Sequence, residues 1–363
     1  MSERVLHQFT EGAYIGDAVS DQAFAIRRWL RELGFVSDIY AERKQTELED
    51  EVRPAQSYRP RPVESCVIHH HAVGSLIAQR LEKLGVPQIL IYHNITPPEF
   101  YESTDPALAD GLRRGRRQLR EMRPRTLLGL GDSAYNQQEL VEMGYDPTGV
   151  LPIFLDESHY SQPINEVLAA ECNAVRPVVL FVGRFAPNKR QEDLIKLLYY
   201  LRRIQPAARL VLVGNTDNRE YVNWLNSLAH DMGLDPAAVC VTGHVSHEDM
   251  LTYYRCADVY VSMSEHEGFG KPLIESMMCG LPVVAYTSSA VPYTMGEAGI
   301  LFDKKDYEGL AELINMLVTD ESLRRRVVAR QTERARAFVE LPVRRQFENY
   351  LRQLHLLPDM AAV

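Results

Sequence analysis

The chain has 363 residues, long for one domain and enough for two that each bury a core. Its 45% apolar and 25% charged residues are those of an ordinary soluble globular protein, and a net charge of −9 argues against a nucleic-acid binder, which needs a basic face. The five cysteines, Cys66, Cys172, Cys240, Cys256 and Cys279, contain no C-x-x-C pair. That scatter fits free thiols in a reducing compartment and not a disulfide framework or a zinc site. No apolar signal core follows Met1, and no run approaches the ~20 apolar residues that span a bilayer. A cytoplasmic protein is expected, at most peripheral at the inner membrane face.

Apolar and amphipathic runs alternate through the first half. Residues 5–9 predict a strand, and Ala23, Ile26, Leu30 and Leu33 predict one face of a helix stopping at Gly34. Further strands are expected at 35–40, 66–69, 89–92 and 127–130, and the polar, proline-rich stretch 41–62 predicts a long loop. Residues 129–134 match a dinucleotide fingerprint only superficially and read as a strand end, with Ser133 capping a helix over 134–143. The stretch 151–177 loses periodicity and holds Pro152, Pro163 and Pro177. A linker is expected over 156–177, after a first domain at 1–155. The second half, a domain at 178–339, alternates more cleanly, with strands at 178–182, 210–213, 239–241, 259–262 and 283–285. Leu194, Leu197, Leu198 and Leu201 mark a helix, and Ser246 with Asp249 predicts a reciprocal N-cap. A last helix, about 340–358, is expected to complete the first domain. This β-α alternation predicts an α/β fold of two doubly wound, Rossmann-like domains facing a central cleft, with ligand at the carboxyl ends of the strands.

The segment Ser264-Glu265-His266-Glu267-Gly268-Phe269-Gly270-Lys271-Pro272-Leu273-Ile274-Glu275 follows a strand and opens a helix. Pro272 suits the first helical position, and Gly268 and Gly270 suit positive φ and close approach of a ligand. The helix N-terminus offers N–H groups to an anion. Glu267 before the helix and Glu275 inside it reach different parts of one extended ligand, such as a sugar diphosphate nucleoside. Arg184 and Lys189 follow an earlier strand, within Val182-Gly183-Arg184-Phe185-Ala186-Pro187-Asn188-Lys189-Arg190. Two cations there suit a departing diphosphate, Arg as a planar fork and Lys as a point charge. No Asp-x-Asp ends a strand, so no diphosphate-bridging metal is indicated.

Glu267 and Glu275 around Gly-Phe-Gly-x-Pro, continued by Ser276-Met277-Met278-Cys279-Gly280-Leu281-Pro282, resemble the signature of the family-four retaining glycosyltransferases of the GT-B fold (glycosyl transferases group 1). Ser276 and Met278 stand where that family usually has alanine or another small residue, and Tyr293 where it often has glutamate. The resemblance implies transfer of a sugar from a nucleoside-diphosphate sugar to a hydroxyl, with retention and no metal or other cofactor, in glycan or glycolipid biosynthesis. It implies that Glu267 contacts sugar hydroxyls and Glu275 the ribose. Arg184 and Lys189 would stabilise the leaving diphosphate, helped by amides within Gly268, Phe269, Gly270, Lys271, Pro272 and Leu273. His244 and Val245 would neighbour the base. Gly16 and Asp17 lie in a loop resembling the family's glycine-containing donor loop, without its adjacent glycine pair, and His93 would contact the donor sugar. The acceptor would be a hydroxyl-bearing glycan, lipid-linked or small molecule. The competing readings are a GT-B sugar-nucleotide epimerase or phosphorylase, and a catalytically silent binding partner.

His69, His70 and His71 are consecutive, and alternation of strand side chains keeps all three from one ion, so a structural role is expected, with one member, His70, near the cleft. Arg113, Arg114, Arg116, Arg117, Arg120, Arg123 and Arg125, with Leu112, Leu119 and Met122, predict an amphipathic helix. Its charged face reads as solvated, with adhesion to anionic lipid as the alternative.

Overall fold

A computed structural model describes residues 4–61 and 65–358; position 62, where the expected loop ends, lies outside them. The chain divides into two compact units, Met1–Phe154 with Glu340–Val363, and Leu155–Val339. All five cysteines are free.

In the first unit seven parallel strands lie in the order Val52–Pro54, Ile39–Lys44, Gln8–Ala13, Val67–His71, Gln88–Tyr92, Thr126–Gly131 and Thr148–Val150. The helix Ala18–Glu32 buries Ala25, Ile26, Trp29 and Leu30 against Ile68, Ile89, Ile91 and Leu130. The helix Glu340–Gln353 closes the same core with Val343, Phe347 and Leu351, and Trp29 Nε1 donates to Glu340 Oε1 at 2.6 Å. Each such buried side chain contributes about 1.5–3 kcal/mol.

Three sequence expectations need correction here. The expected strand at 5–9 is two, Arg4–Val5 and Gln8–Ala13, because its partner also breaks into Phe35–Val36 and Ile39–Lys44. At the break Asp38 N–H donates to His7 Nδ1 at 3.0 Å instead of continuing the ladder. The expected loop over 41–62 begins inside a strand and later forms the edge strand Val52–Pro54. Val52 is buried with Ile39, Ala41 and Leu48, while Pro54 sits on the edge, where a missing N–H is tolerated. The stretch read as a linker holds the helices Glu157–Tyr160 and Glu166–Ala174, and Ala169 and Cys172 pack on Cys256 of the second unit. Asp156 and Asn165 cap them, which periodicity over so few residues does not reveal.

The second unit has six parallel strands in the order Val239–Gly243, Arg209–Val213, Val178–Val182, Val259–Ser262, Val283–Tyr286 and Ile300–Phe302. In both sheets the order reverses beside the first strand of the unit. At such a reversal the outgoing connections diverge and open a crevice at the carboxyl edge. In the second unit the reversal lies between Val178–Val182 and Val259–Ser262.

Candidate functional site

The two strands at that reversal feed the two segments singled out from sequence. After Val182 the chain passes Arg184, makes one 3₁₀ turn over Pro187–Lys189, and takes a left-handed residue, Arg190, before the helix Gln191–Ile204. After Ser262 it runs through Glu265 to Gly270 and into the helix Lys271–Met278. Asn188 stitches the segments together: its Nδ2 donates to the His266 carbonyl at 3.1 Å, and its own carbonyl accepts from Glu265 N–H at 2.8 Å. Lys189 Nζ lies 2.6 Å from Glu267 Oε1, with both side chains only about one-seventh exposed (15% and 14%). Glu267 is held from behind by its own N–H, which donates to Ser289 Oγ at 2.8 Å. Arg184 is exposed, and its guanidinium makes no hydrogen bond or ion pair among the described residues. Lys189 is therefore paired with Glu267, while Arg184 is an open cation.

Gly270 has φ +84° and caps the helix Lys271–Met278. A side chain there would be strained, and its Cβ would lie 2.7 Å from Leu273 Cδ1. Gly268 is not among the positive-φ residues, and Pro272 sits one place further into the helix than expected. Phe269 is buried against Phe338, and Thr294 Oγ1 donates to its carbonyl at 2.5 Å, so the loop backbone is fixed from below. Glu275 is almost wholly buried. Tyr160 donates to its Oε1 at 2.6 Å, Tyr254 to its Oε2 at 2.7 Å, and Lys271 Nζ stands 3.7 Å from Oε1. Burial, reinforced by the Glu275 carboxylate, pushes the Tyr254 phenol well above its ordinary value, so it stays a donor.

Beneath the Arg184–Arg190 segment lies a charge network that sequence reading missed. Asp193, with no exposed side chain, accepts from Lys305 (2.8 Å), Lys196 (2.9 Å), Tyr307 (2.8 Å) and Arg190 Nε (3.2 Å). Burial opposes its ionisation, but the hydrogen bonds from Lys305, Lys196 and Tyr307 win and hold it well below the usual carboxylate range. Lys305 and Arg190 also reach Glu265, at 2.7 and 3.3 Å. The network ties the two segments from underneath. Arg190 stands next to Lys189 in sequence and could have been suspected; Lys305, distant in sequence, gives no signal.

His244 is exposed and Val245 half-buried, just beyond Gly243 at the end of its strand. Ser246 caps the following helix through Asp249 N–H at 3.1 Å, but the reciprocal bond expected from Asp249 is absent. Its carboxylate accepts from Asn165 at 2.9 Å.

In the first unit the reversal lies between Gln8–Ala13 and Val67–His71. Asp17 there is a helix cap: its Oδ2 accepts from Ser20 N–H and Ser20 Oγ, each at 3.0 Å. Gly16, with φ +77°, makes the turn before it. His93 is buried. Its side chain is 2% exposed, Nδ1 lies 2.8 Å from Asp132 Oδ2, and Nε2 lies 2.9 Å from His70 Nδ1. The proton positions follow from the far end of this chain. Gln8 Nε2 donates to the Ala23 carbonyl (2.9 Å), so Gln8 Oε1 accepts from His70 Nε2 (3.0 Å). His70 Nδ1 must then accept from His93 Nε2, and the His93–Asp132 contact carries one shared proton. Burial pushes Asp132 upward, against the opposing pull of His93. His69 and His71 point elsewhere, to Gln88 Oε1 (3.1 Å) and the Gly115 carbonyl (3.0 Å), as strand alternation requires. Glu11, half-buried on the same strand as Gln8, is pushed up to about 7 by burial against the pull of Arg43 and His93. Among the described residues no group of three or more His, Cys, Asp or Glu side chains is placed to hold a metal ion.

The arginine-rich segment forms the helix Pro106–Met122, burying Leu112, Leu119 and Met122. Arg113 pairs with Glu102 and Asp110, Arg116 with Glu139, Arg117 with Glu121 and Arg125 with Glu82. No described helix is long and apolar enough to cross a membrane.

With this geometry in view, residues 170–334 match the model of the family described as Glycosyl transferases group 1. That span is nearly the whole second unit. A lipopolysaccharide core biosynthesis glycosyltransferase of Rhizobium meliloti is 34% identical over 163 residues, 43% of this chain and 44% of that protein. The O-antigen chain mannosyltransferase B of Escherichia coli is 30% identical over 161 residues, 44% of this chain and 41% of that one. The matches thus span less than half the length of these curated relatives. Over whole chains the fold is that of GT-B glycosyltransferases. The Anabaena protein HepE, solved with UDP and glucose, superposes with a TM-score of 0.76 at 18% identity, covering 97% of this chain and 100% of that chain. Sucrose-phosphate synthase from Thermosynechococcus elongatus gives 0.76 at 20% identity, covering 98% and 100%.

Proposed function

We propose that the protein transfers a sugar from a nucleoside-diphosphate sugar to a hydroxyl acceptor with retention of anomeric configuration. One observation carries this reading. At the strand-order reversal of the second unit, an open guanidinium (Arg184), a Lys189–Glu267 pair at 2.6 Å and a left-handed glycine cap (Gly270) stand on two segments locked by Asn188. Arg184 takes the departing diphosphate as its charge develops, and Lys189 joins it when a sugar hydroxyl replaces it on Glu267. Glu267 then accepts from the sugar, and Glu275 from the ribose. His244 and Val245 lie beside the base. No metal enters this scheme, because the cations and the helix N-terminus supply the positive charge.

Residues 1–155 with the final helix supply the acceptor side, a glycan, lipid-linked or small-molecule hydroxyl. Arg114, Arg120 and Arg123, exposed and without ion pairs among the described residues, support contact of that unit with an anionic membrane surface. Co-sedimentation with anionic vesicles at low salt tests that contact, and none sedimenting removes it. The activity itself is tested by following nucleoside-diphosphate release from UDP-glucose and GDP-mannose with an acceptor panel, and reading the product anomer by NMR. Transfer with an α-linked product from an α-linked donor is expected. A β-linked product contradicts retention.

A further inference from the structure

The carboxylate that the proposed function gives to the ribose is already occupied on both oxygens. Glu275 has a side chain only 5% exposed, with Tyr160 donating to Oε1 at 2.6 Å and Tyr254 to Oε2 at 2.7 Å. Each carboxylate oxygen can accept a second hydrogen bond, but a side chain this buried gives a ribose diol no way in unless one of its present partners moves. Tyr254 cannot: it is 1% exposed, within the helix His247–Cys256, and its phenol stays protonated. Tyr160 can. It ends the helix Glu157–Tyr160, which has no buried residue, and its ring is only half-buried.

The backbone around Tyr160 is meanwhile anchored. Arg255 donates to the carbonyls of Tyr160 (2.6 Å) and Gln162 (2.9 Å), and His247 Nε2 lies 3.0 Å from the His159 carbonyl. The Tyr160 ring stands edge-on to the His247 ring, centroids 6.2 Å apart. A side chain so mounted can swing about its own torsions while its segment stays in place. Tyr160 belongs to the stretch that sequence reading took for a linker, and it lies 115 positions before its partner, so nothing local announces the contact.

We propose that Tyr160 is a latch on the ribose end of the nucleotide site: its phenol fills the place on Glu275 Oε1 that a ribose hydroxyl takes, and it must swing away when a nucleoside diphosphate binds. This rests on the reading of Glu275 as the ribose carboxylate. The latch sets nucleotide affinity, because a ligand that needs the open state binds more weakly by the fraction of molecules that are open. It also discriminates by chemistry. Only a ligand with ribose hydroxyls can replace the phenol's hydrogen bond, so a nucleotide lacking them has no means of opening it.

The test is calorimetric titration of wild type, Tyr160→Phe and Glu275→Gln with UDP and GDP and with their 2′,3′-dideoxy analogues. Tyr160→Phe is expected to bind the preferred ribonucleotide about 3- to 10-fold tighter, as a closed fraction of roughly two-thirds to nine-tenths implies. Its affinity for the dideoxy analogue stays at the wild-type value. A tyrosine that merely braces Glu275 gives the opposite sign, so unchanged or weaker ribonucleotide binding in Tyr160→Phe, with Glu275→Gln still weakening it, overturns the latch and leaves the donor site standing. Ribonucleotide binding indifferent to Glu275→Gln overturns the ribose reading and the latch with it. Arg255→Ala unties the same segment without touching the carboxylate and keeps the question decidable should Tyr160→Phe not fold. Tighter ribonucleotide binding is again expected, and weaker or unchanged binding counts against the latch.

Discussion

Both units wind their first strands in the same order and reverse beside the first of them, yet they put opposite chemistry at the reversal. In the second unit the reversal carries charges at or near the surface: Arg184 open, Lys189 on Glu267, and a carboxylate–cation network around Asp193 beneath. In the first it carries a buried line of polar groups, Asp132, His93, His70 and Gln8, each hydrogen-bonded to the next and ending on the Ala23 carbonyl. The topology offers a crevice in both places, and side-chain chemistry decides what it can do. One rim carries an open cation and a solvent-near ion pair; the other buries a line of hydrogen-bonded polar groups.

The widest separation between the units should appear in acid. Burial drives His69 down to about 3 and His71 to about 4, and His70 well below its ordinary 6.5. Above the unfolded-state value neither state takes up protons, so the histidines leave stability unchanged. As pH falls below about 6.5 the unfolded chain gains protons the folded chain refuses, costing ~1.4 kcal/mol per pH unit for each histidine until the folded values are reached. The first unit should therefore unfold before the second between about pH 6 and 4. The two tryptophans report separately, Trp29 buried in the first unit and Trp224 half-exposed in the second. Coincident fluorescence transitions in Trp29→Phe and Trp224→Phe variants would break the comparison.

Within the second unit, the open and the paired cation should separate activity from stability. Arg184→Met should lower kcat/KM about 10²- to 10³-fold with an unchanged melting temperature, since the guanidinium has no partner to strand. Lys189→Met should lose comparable activity and also ~1–2 kcal/mol of stability, because Glu267 is left mostly buried and unpaired. Adding Glu267→Gln should restore the stability and not the rate. Equal melting shifts for the two single variants would count against the geometry.

A smaller effect sharpens the picture of the first unit. With its folded value raised from 4.5 to about 7, Glu11 costs nothing below pH 4.5; its cost grows as pH rises from 4.5 to about 7 and stays constant above that. Glu11→Gln should thus stabilise by ~1–3 kcal/mol at pH 8.5 and by nothing at pH 4, measured by denaturant titration. The smallest is the cap. Asp17→Ala should cost about 1 kcal/mol without altering nucleotide affinity, whereas a donor-loop role for Asp17 would show as weakened binding.

What sequence could and could not show follows from distance along the chain. Strands 178–182 and 259–262 were legible because buried parallel strands are continuous apolar runs, and the Glu267–Glu275 spacing because twelve adjacent residues carry it. Val52–Pro54 escaped because a short edge strand with proline has no alternation to read. His93 was placed at the right strand end, but whether its ring meets ligand or protein depends on Gln8, His70 and Asp132, each from another strand or strand end. Asp17 lies in the expected loop, and sequence does not distinguish a cap from a binding carboxylate because both present the same residue there. Tyr160 on Glu275 and Lys305 on Asp193 join residues more than a hundred positions apart, and no local pattern encodes them.

The measurement closest to the central claim is thermal unfolding of the full chain with UDP, GDP, ADP, dTDP and CDP, with and without magnesium, for wild type and Glu275→Ala. A nucleotide at about 100 times its Kd adds ~2.7 kcal/mol, a visible shift. One nucleotide should stabilise the wild type equally with and without magnesium, and lose that effect in Glu275→Ala. No stabilisation by any of them at millimolar concentration, or stabilisation that survives Glu275→Ala unchanged, would contradict a donor site at this carboxylate.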